Sequence, residues 1–430
     1  MKRIVIASFA AAVIGCGAIT FAAPGNAVTE SDAATQSSHI AGQILAKFRD
    51  KGAAAGVLRQ HGLREGRGIG STGAQLIKVP AGRELQLIEA LSRNPAVEYA
   101  EPDELVTAAT ADEYFDRQYA LRNTGQSFFN TADTQEIATG KADADVDAVE
   151  AWTDPTVKGA PVAILDSGVA NLHDDIAPQV VGYANFVSAD TKEDPKADPE
   201  DKYGHGTHVA GIVAAKANNT IGVAGVCPDC TILDVKVLND SGSGSSSAIA
   251  NGISWAAANG AKVINMSLGQ RVSSRTLEAA VNNAWNEGAV IVAAAGNAGT
   301  QAKIYPGAYP NVIAVAATDN NDAKASFSTY GKWVDVAAPG VSVYSTFPNH
   351  PFVLGTQNGR SMGYDIASGT SMASPIVAGV AALVWSSQTD ASKTSVRTSI
   401  ESTADKIPGT GTNWAHGRVN ACKAVVGTCP

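Results

Sequence analysis

The strongest constraint on this chain is a series of short, largely apolar runs that do not alternate regularly with polar positions. They are Pro161 to Leu165, Ile232 to Leu238, Val263 to Met266, Ala289 to Ala295 and Val312 to Ala316. A strand with one face in water alternates, whereas runs of this kind suit parallel strands covered on both faces. Helical stretches lie between them, such as Ala248 to Ala258 and Leu277 to Glu287. Strands alternating with helices predict an α/β fold with a doubly wound, mostly parallel sheet. In such sheets, functional groups collect beyond the carboxyl ends of the strands.

A smaller unit precedes this one. Ile44 to Phe48, Gln75 to Val79 and Val97 to Pro102 read as strands, and Glu84 to Leu91 places Leu85, Ile88 and Leu91 on one helical face. Together they predict a small α+β unit over about 43–104. Gly68-Ile69-Gly70-Ser71-Thr72-Gly73 matches a dinucleotide-binding pattern, but no apolar strand leads into it and no amphipathic helix follows, so it reads as a loop.

The N-terminus reads as a targeting segment. Met1-Lys2-Arg3 is basic, Ile4 to Ala23 is apolar, and small residues follow to Ala27. That pattern predicts a secretory signal peptide over 1–27. Val13-Ile14-Gly15-Cys16 offers an alternative, a lipid attached through Cys16. No other stretch reads as long and apolar enough to span a bilayer. Residues 28–110 then read as a propeptide and 111–430 as the main domain. Of the five Cys, setting Cys16 aside leaves Cys227 and Cys230, and Cys422 and Cys429, as locally paired disulfide candidates, with other connectivities open. The net charge of −9 argues against a nucleic-acid partner, which would need a basic stripe.

Chemistry-bearing residues stand at the ends of the predicted elements. Val162 to Leu165 runs into Asp166-Ser167-Gly168, a carboxylate placed to orient a base. Gly204-His205-Gly206-Thr207-His208 opens a helix with an imidazole free to project. His205 and His208 are three apart, yet no third ligand or HExxH pattern completes a zinc site. Ser368-Gly369-Thr370-Ser371-Met372-Ala373-Ser374-Pro375 puts a serine at a helix N-terminus, where free N–H groups favour negative charge. Val290 to Ala295 ends in Gly296-Asn297, whose amide could donate to the same oxyanion. The order Asp, His, Ser is one of the known orders of a catalytic triad.

These motifs resemble those of the subtilase (subtilisin-like serine protease) family, and most nearly its thermitase branch. Asn218 to Gly225 and Gly417 to Ala421 add to the likeness. The leading unit, with Tyr99-Ala100-Glu101-Pro102-Asp103, resembles the ferredoxin-like, inhibitor-I9-like prodomains of that family. The resemblance implies an endopeptidase in which Ser371 is the nucleophile, His205 the base and Asp166 its orienter, with Asn297 in the oxyanion hole. It implies that Gly242-Ser243-Gly244 and Ser267-Leu268-Gly269 clamp an extended peptide. The absence of acidic residues there predicts broad specificity leaning to apolar and aromatic side chains.

It also implies a calcium site built from Asp112, Asp175 and Asn219 side chains and the carbonyls of Lys216, Ile221 and Val223. The acidic run Asp190, Glu193, Asp194, Asp198 and Asp201 reads equally as solvated loop charge and as further cation ligands. Asn349 to Tyr364 contains an insertion relative to the thermitase branch. The expected partners are protein or peptide substrates and the chain's own propeptide as inhibitor, and the expected form is a secreted monomer. The rival readings are a catalytically inactive relative and a serine-carboxyl peptidase. The intact Asp166, His205, Asn297 and Ser371 oppose the first, and the full His205 motif opposes the second.

Overall fold

The computed structural model describes residues 39–104, 112–154, 157–187 and 200–429. The expected signal peptide, Cys16, most of the 104–112 linker, Asp190, Glu193, Asp194 and Asp198 lie outside the described residues. The chain forms two compact units that divide between Val106 and Thr107.

The first unit contains β1 (His39–Phe48), α1 (Ala54–Gln60), β2 (Arg67–Gly68), β3 (Ala74–Lys78), α2 (Glu84–Ser92) and β4 (Val97–Glu104). Its antiparallel sheet has the order β2-β3-β1-β4. Ile44, Leu58, Ile77 and Leu91 are fully buried at its centre. Helix α2 departs from the expected face. Leu87 and Leu91, four apart, are buried, Ile88 packs partly against them, and Leu85 is exposed. The cause is Glu84, whose carboxylate accepts the Gly42 N–H at 2.6 Å. With position 84 turned inward, position 85 projects about 100° away. The glycine-rich segment at 68–73 is the turn between β2 and β3, with Ile69 N–H donating to the Ala74 carbonyl.

The second unit is built on β5 (Val162–Asp166), β6 (Val180–Asn185), β7 (Ile232–Lys236), β8 (Val263–Met266), β9 (Val290–Ala294), β10 (Val312–Thr318), β11 (Val336–Pro339) and β14 (Gly417–Arg418). These form one eight-stranded parallel sheet in the order β14-β11-β10-β9-β8-β5-β7-β6. A hairpin of β12 (Val343–Thr346) and β13 (Tyr364–Ala367) stands apart from it. The main helices are α3 (His205–Ala214), α4 (Ser246–Ala258), α5 (Arg275–Glu287), α6 (Val353–Asn358), α7 (Thr370–Ser387), α8 (Lys393–Thr403) and α9 (Ala421–Val426).

Side chains of the central strands go alternately to two separate cores. Val162 and Ile164 of β5, and Val290 and Val292 of β9, join the core that contains α3 and α7. Ala163, Leu165, Ile291 and Ala293 join the core that contains α4 and α5. Apolar side chains therefore predominate on both faces, which is why these strands read as largely apolar runs without regular alternation.

Helix α7 corrects one expectation. It is long and apolar enough to cross a membrane, but 78% of that stretch is buried inside the molecule, so it serves as a core helix. Gly379 lets α7 approach Val226 closely, since a Cβ at Gly379 would stand 2.7 Å from Val226 Cβ. A Gly379→Val substitution is therefore expected to cost about 1–3 kcal/mol through overpacking. The thermal midpoint measures this, and an unchanged midpoint would contradict the packing described.

Candidate active site

Asp166 closes β5 and is fully buried. Its carbonyl accepts the N–H groups of Val237 and Leu238, which fixes the strand end. Gly168, at φ 103°, then turns the chain away. His205 is the first residue of α3, preceded by Gly204 at φ 98°. The two turns meet backbone to backbone, since a Cβ on Gly206 would lie 2.1 Å from the Gly168 carbonyl oxygen. This contact explains Gly206, on the C-terminal side of His205.

His205 Nδ1–H donates to Asp166 Oδ1 at 2.8 Å, and the same oxygen accepts Ser167 N–H at 2.7 Å. A carboxylate can only accept, so the proton sits on Nδ1 and Nε2 is left as a base. Burial pulls the His205 pKa down. The Asp166 carboxylate, by charge and hydrogen bond, and the charge of Asp201 outweigh it and hold the imidazole above its ordinary value. His208 behaves differently. Burial and the neighbouring His205 push it down to about 3, and its Nε2 pairs with the Asp365 carbonyl.

Sequence reasoning left Asp201 between solvated loop charge and a further cation ligand. The structure instead buries it fully. Asp201 Oδ1 accepts Ser167 Oγ–H, Tyr203 N–H and Gly204 N–H, and Oδ2 accepts Thr207 N–H and Thr207 Oγ–H. Ser167 Oγ in turn accepts Gly206 N–H. Buried Lys236 donates to the Ser167 carbonyl and to Asp240 Oδ1. Asp201 thus holds the His205 turn against the Asp166 turn. Its donors are mostly backbone groups, and the Ser167 hydroxyl lies far off in sequence, so no sequence pattern announced this.

Ser371 lies in the first turn of α7. Pro375, four residues on, has no N–H to give the Ser371 carbonyl. Ser267 Oγ–H fills that role at 2.7 Å, while Ser371 Oγ–H donates back to the Ser267 carbonyl at 3.2 Å. Buried Asn265 extends the network to Ser267 Oγ and Ser374 Oγ. Asn297 Oδ1 accepts Thr370 N–H and Thr370 Oγ–H, at 2.9 and 3.0 Å. Its Nδ2 is thereby turned toward Gly369, where a Cβ would lie 3.4 Å from Asn297 Nδ2 and 3.6 Å from Ser371 N. Two N–H donors therefore flank a space that glycine leaves open.

Beside His205 is a cleft of about 350 Å³, lined by Gly242, Ser243, Gly244, Ser267, Leu268 and Gly269. Tyr203, Leu238, Ile249, Gln270, Leu277 and Tyr305 also line it, and the aromatic and aliphatic side chains among them are surface that sequence reasoning did not foresee. No carboxylate lines it among the described residues.

The residues expected at a cation site also gather. Asp112 accepts the N–H groups of Asn218, Asn219 and Thr220. Asp175 accepts Val223 N–H and Asn219 Nδ2–H. Burial, assisted by the Asp112 charge, pushes Asp175 up to about 6. Cys227–Cys230 and Cys422–Cys429 form disulfides, with Cα separations of 5.3 and 5.8 Å.

Comparison with known proteins identifies this arrangement. The subtilase family profile matches residues 157–419, and the fervidolysin N-terminal prodomain profile matches residues 25–103. The chain belongs to the subtilase family. Thermitase of Thermoactinomyces vulgaris is 53% identical over 280 residues, covering 65% of this chain and 93% of that protein. A thermophilic serine proteinase of Bacillus sp. (strain AK1) is 40% identical over 394 residues, covering 90% and 88%. A protease structure from Pseudoalteromonas arctica PAMC 21717 superposes with a TM-score of 0.64 at 32% identity, covering 74% of this chain and 99% of that one. The subtilase is therefore a serine protease preceded by a prodomain, and the matched span includes Asp166, His205, Asn297 and Ser371.

In this subtilase the electrostatics around His205 have a measurable sign. NMR titration is expected to find His205 titrating above 6.5. Asp166→Asn removes the charge and leaves the burial, so His205 should fall below 6.5. A His205 that titrates alike in both proteins would contradict the pairing.

Proposed function

We propose that this subtilase is a secreted, calcium-binding serine endopeptidase that releases itself from its own prodomain. The observation that carries the reading is the hydrogen bond from His205 to buried Asp166, combined with a serine at the N-terminus of α7 beside two N–H donors that flank an open space at Gly369. Ser371 Oγ attacks the scissile carbonyl while His205 Nε2 takes its proton, later giving it to the leaving amine. Asp166 keeps the proton on Nδ1 and stabilises the imidazolium. Asn297 Nδ2 and Ser371 N–H hold the oxyanion. In the resting protein Ser371 Oγ is held by the Ser267 carbonyl, so the attack requires it to rotate toward His205, a tightening common when substrate binds.

The segments around Gly242–Gly244 and Ser267–Gly269 would pair with an extended peptide as added strands. The side chains of Tyr203, Leu238, Ile249, Leu277 and Tyr305, with the absence of a lining carboxylate among the described residues, support a preference for apolar or aromatic side chains over Lys and Arg. The first 27 residues support export, with Cys16 as the alternative anchor. The prodomain is expected to inhibit the enzyme until it is cut away.

The groups around Asp112 and Asp175 fit calcium. Both carboxylates are buried, no basic side chain reaches either among the described residues, and Lys216 Nζ is engaged by Asp229. Among the described residues no donor is found on the Lys216, Ile221 or Val223 carbonyls. Two carboxylates with no basic partner among the described residues, beside carbonyl oxygens, form a hard, all-oxygen donor set. Asn219 would turn its amide oxygen from Ile221 N–H toward the ion. Calcium bound there would neutralise the carboxylates and fasten the 216–223 loop.

Ser371→Ala is expected to abolish peptide hydrolysis and to leave the prodomain attached, read by intact mass beside wild type. Asn297→Ala should lower kcat about a hundred- to a thousand-fold, the range measured for the equivalent donor of subtilisin. Processing that is identical in Ser371→Ala, or arginyl peptides cut much faster than phenylalanyl ones, would overturn the corresponding part of the reading. Chelation should remove the binding contribution to stability, about 3 kcal/mol if calcium is at a hundred times its Kd, and so lower the thermal midpoint. A midpoint unmoved by chelator would remove calcium from the account.

A further inference from the structure

The loop that joins β12 to β13, residues 347–363, packs against the turn that carries His205. Helix α6 lies in this loop, and its first N–H groups have no partners within the helix. Val353 N–H donates to the Lys202 carbonyl at 3.0 Å and Leu354 N–H to the Tyr203 carbonyl at 3.1 Å. The ring of Phe352, 3% exposed, covers Gly204, where a Cβ would stand 2.3 Å from Phe352 Cδ2. Phe352 stacks on Phe347 at 4.9 Å, and Phe347 meets the His208 ring at 4.7 Å. His350 Nε2 pairs with Glu200 Oε1 at 2.8 Å, and Asn349 Nδ2 donates to the Leu172 carbonyl. Phe347 N–H to the Gly363 carbonyl and Gly363 N–H to the Pro348 carbonyl close the base of the loop.

We propose that residues 347–363 form a strap that holds the His205 turn in its working position, with Phe352 as the positioning residue. This rests on the reading of His205 as the catalytic base. Asp201 fastens the turn from within, and the strap covers it from the other side through Gly204 and the carbonyls of Lys202 and Tyr203. Without the ring, Gly204 loses the surface it rests on, and small displacements of a catalytic group are costly. The charged groups that face His205 are Asp166 and Asp201. Nearby, His208 stays neutral, Lys236 is engaged by the Ser167 carbonyl and Asp240, and Lys202 by Asp240. Loosening the turn would move His205 away from Asp166 and lower its basicity.

The test compares Phe352→Ala, Phe352→Leu and Val353→Pro with wild type. Val353 is the first residue of α6, where proline fits the helix, removes the N–H given to Lys202 and keeps an apolar side chain of similar size. Phe352→Ala is expected to lower kcat about tenfold or more with KM within about twofold. The acidic limb of its pH profile should move to lower pH, and Phe352→Leu should restore most of the rate. Val353→Pro should lower kcat about threefold or more at an unchanged thermal midpoint, which keeps the test valid should Phe352→Ala fail to fold. NMR titration of His205 in Ser371→Ala carrying each strap substitution reads its position without activity. Variants that lose thermal stability but keep wild-type kcat, pH profile and His205 titration overturn the proposal. Full activity in His205→Ala would instead overturn the reading on which it rests.

Discussion

The hydrogen bond between His205 and Asp166 joins side chains from elements that are distant in sequence, and the site depends on bringing their backbone turns together. Taking a carboxylate out of water is costly unless charge and hydrogen bonds offset it. Asp166 Oδ1 has two donors, but Oδ2 has none among the described residues, so the imidazole is its main source of compensation. That need for a positive partner raises the basicity of His205. The bond forms only because Gly168 and Gly206 bring the two turns close and because Asp201 gathers the donors of both.

The same economy of space recurs across the sheet. Asp166 ends β5 and Asn297 follows β9, while Ser371 opens a helix buried against those strands. The carboxyl ends of parallel strands deliver these groups to one edge of the sheet. Pro375 withholds an N–H inside α7, and Ser267, from the end of the neighbouring β8, makes up the loss at the Ser371 carbonyl. One proline thereby couples the helix bearing Ser371 to a wall of the cleft. The hairpin and strap then fasten α3, through Ser345 to the His208 carbonyl and Thr346 to the Thr207 carbonyl.

What could be read from the sequence follows burial. Central strands β5, β8, β9 and β10 are covered on both faces, so their composition declares them. Edge strand β6 leaves Val181 and Tyr183 exposed, which broke the pattern and hid it. Strand β11 is four residues ending in proline, and β12 and β13 are joined by a long loop instead of a tight turn. The polar site groups were legible because each sits in a short run of small residues at an element boundary. Asp201, Lys236 and Phe352 were not: Asp201 binds nearby backbone N–H groups and the distant Ser167 hydroxyl, and Lys236 and Phe352 meet backbone far away in sequence. In α2, the Glu84 bond to Gly42 N–H turned the helix from its expected face for the same kind of reason.

The most direct test of the central claim is reaction of the processed protein with a phosphonylating serine reagent, followed by peptide mass mapping. The account predicts one modified residue, Ser371, with labelling suppressed in His205→Ala because Nε2 no longer takes the Ser371 proton. Labelling that falls on Ser267 or elsewhere, or that proceeds equally well without His205, would contradict it.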